Sequence, residues 1–185
     1  MTRVFDVVIT YLEQTARRDA APPAAPVGRR TAILRALKPP VHFYRYLYAQ
    51  VGDPHYWVSR KTMSDAALTT IIHHDDNHLL VLYIDGAPAG LAELDARRTG
   101  VVEIKFFGLV PDYLGLGLGR FFLHHAIDAA WALGPERVTL ETCSLDHPAA
   151  LPLYQKFGFA VTGRRSGRVE VPGAADDRAT EAAEA

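Results

Sequence analysis

Gly115, Gly117 and Gly119 alternate with leucines in Val110-Pro-Asp-Tyr-Leu-Gly-Leu-Gly-Leu-Gly-Arg120, and this run constrains the fold more than any other feature of the chain. Before it, Val101 to Val110 reads as a strand. After it, Phe122, Leu123, Ala126, Ile127 and Ala130 recur at helical spacing from Gly119 to Leu133, until Gly134-Pro135 stops them. Strand, glycine turn and long helix, in that order, bring bare backbone N–H groups and the positive end of a helix dipole to one place. Such a turn can cradle a phosphate. It is not a P-loop, because Gly119 is followed by Arg120-Phe121 rather than Lys-Ser/Thr. It is not the dinucleotide fingerprint either, since the sixth position from Gly115 is Arg120 and no βαβ unit opens there. From the glycines alone, a tight turn without a ligand stays open.

The rest of the chain supplies a mixed order of elements. Residues 4–11 (VFDVVITY) read as a strand, and Asp19 to Gly28 is an Ala/Pro-rich surface loop. Val41 to Val51 is a helix with Phe43, Leu47 and Val51 on one stripe, Tyr44 and Tyr48 beside it, and Pro39-Pro40 before its first turn. Ser64-Asp65 opens a second, shorter helix carrying Leu68, Ile71 and Ile72. Leu79–Ile84 and Ala87–Leu94 form a hairpin about Asp85-Gly86. After the long helix come a strand at Val138–Cys143, a short helix at Pro148–Lys156 and a strand at Phe159–Arg165. This order predicts one α/β or α+β domain over residues 1–171, helices packed on a largely antiparallel sheet, with a disordered tail over 172–185.

Composition narrows the function classes. Lys+Arg number 20 against 21 for Asp+Glu, a net charge of -1, so the basic excess of a duplex-DNA binder is absent. No apolar stretch approaches the roughly 18–20 residues of a membrane helix. The single cysteine, Cys143, fits a reducing compartment, and a cytoplasmic protein is expected, with no nucleic-acid or membrane partner.

Three pieces taken together resemble the GNAT superfamily, the N-acetyltransferases related to the general-control histone acetyltransferases. VEIKFFGLVPDYLGLGLGRFFLHHAI is similar to the family's acetyl-coenzyme A motif, in which a Gln/Arg-x-x-Gly-x-Gly/Ala loop binds the pyrophosphate. VTLETC follows as the next strand. DHPAALPLYQKFGF resembles the Asn-x-x-Ala-x-x-Leu-Tyr-x-x-x-Gly-Phe ending, with Ala150, Leu153, Tyr154, Gly158 and Phe159 in place. The resemblance implies a GNAT-type mixed sheet of about seven strands flanked by helices and splayed at the acetyl-coenzyme A site. It implies acetyl-coenzyme A as cosubstrate, held by Gly108, Leu109, Val110, Leu114, Gly115, Leu116, Gly117, Leu118, Gly119, Arg120, His147 and Tyr154. Two positions depart from the pattern. Leu114 replaces the usual Gln or Arg, leaving the pyrophosphate to backbone amides and Arg120; His147 replaces the usual Asn, removing its side-chain hydrogen bond.

The chemistry implied is direct transfer of acetyl to a primary amine of a small molecule or peptide. An alkyl ammonium of pKa about 10.4 costs about 4.6 kcal/mol to deprotonate at pH 7. Glu103 in VEIKFF matches the catalytic glutamate of the histone-acetyltransferase branch; alternatively it is a surface residue paired with Lys105 at i+2. Tyr154 matches the tyrosine that protonates the departing thiolate, or it packs beside Phe157 and Phe159. A main-chain N–H near Gly108 or Leu109 would polarise the carbonyl, at a bulge in the strand. Tyr44, Tyr48 and Trp57 are candidates for the acceptor pocket. Cys143, Asp146 and His147 lie close in sequence, yet a strand-end cysteine reads as a small hydrophobe rather than a nucleophile. HHDDNH (residues 73–78) has metal-ligand residue types but reads as a polar turn, so no metal is expected. His124, His125 and Asp128 read as a solvated helix face. A non-catalytic acyl-coenzyme A sensing domain is the rival function, and the resemblance leaves a homodimer open.

Overall fold

The computed structural model describes residues 2–19 and 21–172. Seven strands form one sheet: β1 (Arg3–Gln14), β2 (Thr31–Ala36), β3 (Asn77–Ile84), β4 (Ala87–Arg98), β5 (Val101–Leu109), β6 (Arg137–Cys143) and β7 (Ala160–Val171), in spatial order β2-β3-β4-β5-β6-β1-β7. Every neighbouring pair is antiparallel except β5 and β6. The helices are α1 (Val41–Gly52), α2 (Asp65–Ile72), α3 (Leu118–Ala132) and α4 (Ala150–Lys156). The expected mixed α/β architecture with its largely antiparallel sheet is the one observed. Of the tail expected from Pro172, only that residue is among those described.

Each face of the sheet has its own core. On one, Phe122, Leu123, Ala126 and Ala130 of α3, with Tyr154 of α4, pack on Leu94, Val102, Ile104, Val138 and Leu140. On the other, Tyr44, Leu47, Tyr48 and Val51 of α1, with Leu68 and Ile72 of α2, cover Leu79, Val81 and Leu91. Each large aliphatic or aromatic side chain buried this way contributes about 1.5–3 kcal/mol. The α1 stripe is turned from the expected one: Tyr44 and Tyr48 lie at its centre and Phe43 is half-buried at its edge. Ser64 caps α2 as expected, its side chain accepting from the Ala67 N–H. The β3–β4 hairpin turns at Asp85-Gly86, both with positive φ, which is the geometry a two-residue hairpin requires.

One strand was missed and two expectations are corrected. Strand β2, at the sheet edge with no fully buried residue, has no counterpart in the sequence reading. Strand β7 continues past Arg165 to Val171 because β1 supplies partners as far as Arg3. His124 is buried on α3, beside Phe157 and with Nε2 3.2 Å from Asp128, rather than solvated.

One feature of the sheet positions the site. β5 pairs with β6 only from Val101 to Ile104, against Arg137 to Leu140. The register against β4 then shifts between Ile104 and Phe106, leaving Lys105 as the extra residue of a bulge. Beyond it β5 stays with β4, while Glu141–Cys143 stay with β1, and the two strands part.

Candidate functional site

The parted strands open a cleft of about 700 Å³. Lys105 to Leu109 of β5 form one wall, and Glu141 to Cys143 of β6 form the opposite one. The glycine loop, the start of α3 and α4 line one side and residues 55–59 another, with the His55 ring reaching to 6.3 Å from that of His147.

The glycine end is built for close approach. Gly115 and Gly117 have φ of 77° and 75°, which side-chain-bearing residues rarely adopt. Gly117 stands at the N-cap of α3 without a side-chain cap, so the N–H groups of the first turn are unsatisfied by the helix and point outward. A Cβ on Gly119 would sit 3.9 Å from both Leu109 Cδ1 and Leu153 Cδ2, filling the cradle floor. Arg120 and Lys156 add positive charge at its rim. This set fits a diphosphate: bare amides, a helix amino end and two flanking cations.

Along the β5 wall, the Val110 N–H bonds the Ala89 carbonyl across to β4. Successive strand residues alternate their N–H direction, so the Leu109 N–H faces the opposite edge, towards the cleft. Gly108 is required by packing: a Cβ there would run into Val51 Cγ1 of α1.

Tyr154 lines the cleft from α4 and is only 7% exposed. Burial, with a smaller contribution from the Asp146 carboxylate, pushes its phenol well above the ordinary value. The hydroxyl therefore stays protonated and keeps its proton available to donate.

Most of the expected cofactor residues line this cleft, namely Gly108, Leu109, Leu114, Gly115, Gly117, Leu118, Gly119, Arg120, His147 and Tyr154. Val110 does not; it packs under α1 and α2. Leu116 points to solvent outside the wall. Glu103 is also outside the wall, with Oε1 2.9 Å from Lys105 Nζ, which is the surface-pair alternative. Burial works against the charge of Lys105, and the carboxylates of Glu103 and Glu141 outweigh it, so the ammonium pKa is raised. Of the acceptor candidates, Tyr48 and Trp57 line the cleft. Tyr44 does not: it is fully buried, and its hydroxyl donates to Glu93.

Cys143, Asp146 and His147 do not assemble as a triad. Asp146 Oδ2 accepts from Thr142 Oγ1 at 2.7 Å and from the Cys143 N–H at 2.8 Å, and His147 Nδ1 accepts from the Ala149 N–H. Burial raises the Cys143 thiol above its ordinary pKa, which keeps it a poor nucleophile. Among the described residues, no group of three or more His, Cys, Asp or Glu is arranged to hold a metal.

Sequence reasoning missed part of the wall. Ile9 of β1 and Val169 of β7 reach the cleft through a strand pairing that no local pattern encodes. Glu141 and Lys156 were legible only as charges on a strand and a helix. A buried network was missed as well. Glu93, 0% exposed on β4, accepts from Arg60 Nη2 at 2.6 Å and from Tyr44, while Arg60 lies over the Phe106 ring.

Residues 42–159 match the family model described as Acetyltransferase (GNAT) family. A curated relative, an uncharacterized N-acetyltransferase of Methanocaldococcus jannaschii, is 24% identical over 120 residues, 62% of this chain and 53% of its own. The chain thus spans about half the length of that relative. A GCN5-related N-acetyltransferase of Sphaerobacter thermophilus superposes with a TM-score of 0.61 at 19% identity, over 92% of this chain and 53% of that one. An aminoglycoside N-acetyltransferase solved in complex with CoA superposes with a TM-score of 0.55 at 19% identity, over 77% of this chain and 95% of that one. With the family model covering more than half its length, the chain belongs to the GNAT acetyltransferase family.

Proposed function

We propose that this protein moves acetyl from acetyl-coenzyme A to a primary amine by direct attack. The observation that carries the reading is convergence: the uncapped glycine end of α3, Leu109 of β5 and the buried Tyr154 all line one cleft at the split between β5 and β6. Acetyl-coenzyme A supplies an activated thioester carbonyl and a thiolate leaving group.

The chain's residues then divide the work. Amides of Gly115 to Arg120, with Arg120 and Lys156, bind the diphosphate; Lys105 to Leu109 guide the pantetheine arm along the β5 edge. The Leu109 N–H donates to the carbonyl oxygen as negative charge develops there. The ammonium first gives one proton to water; the neutral nitrogen then bonds the carbonyl carbon, the carbon–sulfur bond breaks, and the second proton lost by nitrogen passes through solvent to the departing thiolate, which ends as a thiol. Tyr154 donates a hydrogen bond to that sulfur. Its raised pKa lies above the roughly 8.5 of a simple thiol, so it steadies the leaving charge more than it surrenders a proton outright. Glu103 reaches the cleft only through Lys105.

Titration calorimetry with acetyl-coenzyme A, on wild type and Gly117→Asp, together with thiol release over an amine and peptide panel, tests the reading. Tight binding lost in Gly117→Asp, with thiol released only when an amine is present, is the expected result. Binding without turnover on every acceptor would make the protein an acyl-coenzyme A sensor instead.

A further inference from the structure

The acceptor end of the cleft has a chemistry of its own. Tyr48, Trp57 and Phe106 form an aromatic cluster, with ring centroids 5.0 Å apart for Tyr48–Phe106, 5.1 Å for Trp57–Phe106 and 5.4 Å for Tyr48–Trp57. Tyr56 extends it, and Ile9 and Val169 continue the apolar surface across β1 and β7. Such a wall suits a flat apolar body and offers little to a hydrated polycation.

Its polar groups are mostly committed. Asp146 accepts from Thr142, the Cys143 N–H and Trp57 Nε1. Ser59 bonds the Tyr48 hydroxyl, and His55 Nδ1 is 3.3 Å from the Leu145 carbonyl. Glu141 is the least committed, holding only a long ion pair with Lys105. Lys105 Nζ is 3.9 Å from its Oε1, beyond hydrogen-bond range, while the same ammonium bonds Glu103 at 2.9 Å. Its side chain is 43% exposed. It follows Leu140, the last β6 residue paired with β5, so it stands at the apex of the split. Leu140 is buried on the α3 face, and strand alternation therefore turns Glu141 to the opposite face, that of Phe106.

We infer that Glu141 receives the ammonium of the acceptor, and that the acceptor is a small monoamine with an aromatic or apolar body. This deepens the acetyltransferase reading and rests on it. Charge balance excludes the polyamine alternative. A polycation needs several free carboxylates, whereas the cleft wall holds Glu141 and the committed Asp146 against Lys105, Arg120 and Lys156. A monoamine needs one. Its ammonium donates charge-assisted hydrogen bonds to the Glu141 oxygens, and its ring lies against Trp57 and Phe106.

The test is thiol release from acetyl-coenzyme A by the full chain with tryptamine, phenethylamine, spermidine, kanamycin and a lysine-containing peptide. Expected is a kcat/KM for an arylalkylamine at least about tenfold above that of the others, one tenfold step being the least that a single well-made contact separates. Glu141→Gln should raise the arylalkylamine KM by about 10- to 100-fold, the range for losing a hydrogen bond to a charged group. It should leave acetyl-coenzyme A affinity and melting temperature unchanged, and Glu141→Asp should recover part of the loss. A preference for spermidine, kanamycin or the peptide overturns the inference and leaves the acetyltransferase reading standing, as does a Glu141→Gln enzyme with wild-type KM. Thiol release from none of the amines, with acetyl-coenzyme A bound, overturns both.

Discussion

Arg60→Met should be among the most damaging single substitutions in this protein, although Arg60 lies on a loop. Its guanidinium is 10% exposed and donates to Glu93 Oε1 at 2.6 Å; Glu93 has no solvent contact at all. Burial opposes the charge of Arg60, and Glu93 and Tyr44 more than restore it, so its pKa is raised. Burial and then Glu93 push the Tyr44 phenol far up, so that group donates to the carboxylate and never competes with it. Methionine keeps the apolar stem and deletes only the charge. That strands a buried carboxylate, at a cost of about 3–5 kcal/mol. For a chain of this size each kcal/mol lowers Tm by about 2–4 °C, so a drop of about 6–20 °C is expected by circular dichroism. The triple variant Arg60→Met, Glu93→Leu, Tyr44→Phe removes the stranded partners and should regain most of the loss. Because the Arg60 side chain ties the segment carrying Tyr56, Trp57 and Ser59 to Glu93 of β4, acceptor KM should rise in the single variant while acetyl-coenzyme A affinity holds. An Arg60→Met protein melting within about 2 °C of wild type would refute the reasoning, since that shift is worth no more than about 1 kcal/mol.

Further outcomes follow from other sites. Tyr154→Phe should lower kcat by about one to three orders of magnitude with Tm and acetyl-coenzyme A affinity nearly unchanged; steady-state kinetics on the purified variant decides. Gly108→Ala should cost about 1–3 kcal/mol in urea unfolding, because the new methyl collides with Val51 and α1 must move. Asp95, bonded by the Arg97 guanidinium at 2.9 and 2.6 Å against partial burial, is held below its ordinary 3.8. A depressed carboxylate stabilises the fold above that value and ceases to do so as pH falls through its folded pKa. The urea midpoint of Asp95→Asn should therefore fall less than that of wild type below about pH 4.

What could be read from the sequence was what local pattern encodes. The glycine loop, the periodicity of α3, the Ser64 cap and the Asp85-Gly86 turn each fix a short stretch of backbone by sterics or hydrogen bonding. Edge strands escaped, since neither β2 nor β7 has a fully buried residue to mark its inner face. The site divides the same way. Leu109, Gly117 and Tyr154 came from motifs, whereas Ile9 and Val169 reach the cleft only through long-range pairing. Tyr44 was a pocket candidate because the first helices are dense in aromatic residues. It is buried instead and bonded to Glu93 and Arg60, and nothing in the sequence pairs residues 44, 60 and 93.

The position of β1 between β6 and β7 also governs when the cleft can exist. During synthesis β1 emerges before both neighbours, and about 120 residues of chain separate its end at Gln14 from the start of β6 at Arg137. At roughly 5–20 residues per second, β1 waits about 6–25 s with no partner, its Val7, Ile9 and Leu12 uncovered. The wall that holds Glu141 closes only when β6 arrives and the Val169 side only when β7 does, so that end of the cleft is the last to form. Non-local pairing of this kind slows folding and lengthens exposure to aggregation. A nascent chain stalled after α3 would carry the glycine cradle but none of the β6 wall, and its β1 edge would be free to pair with another copy.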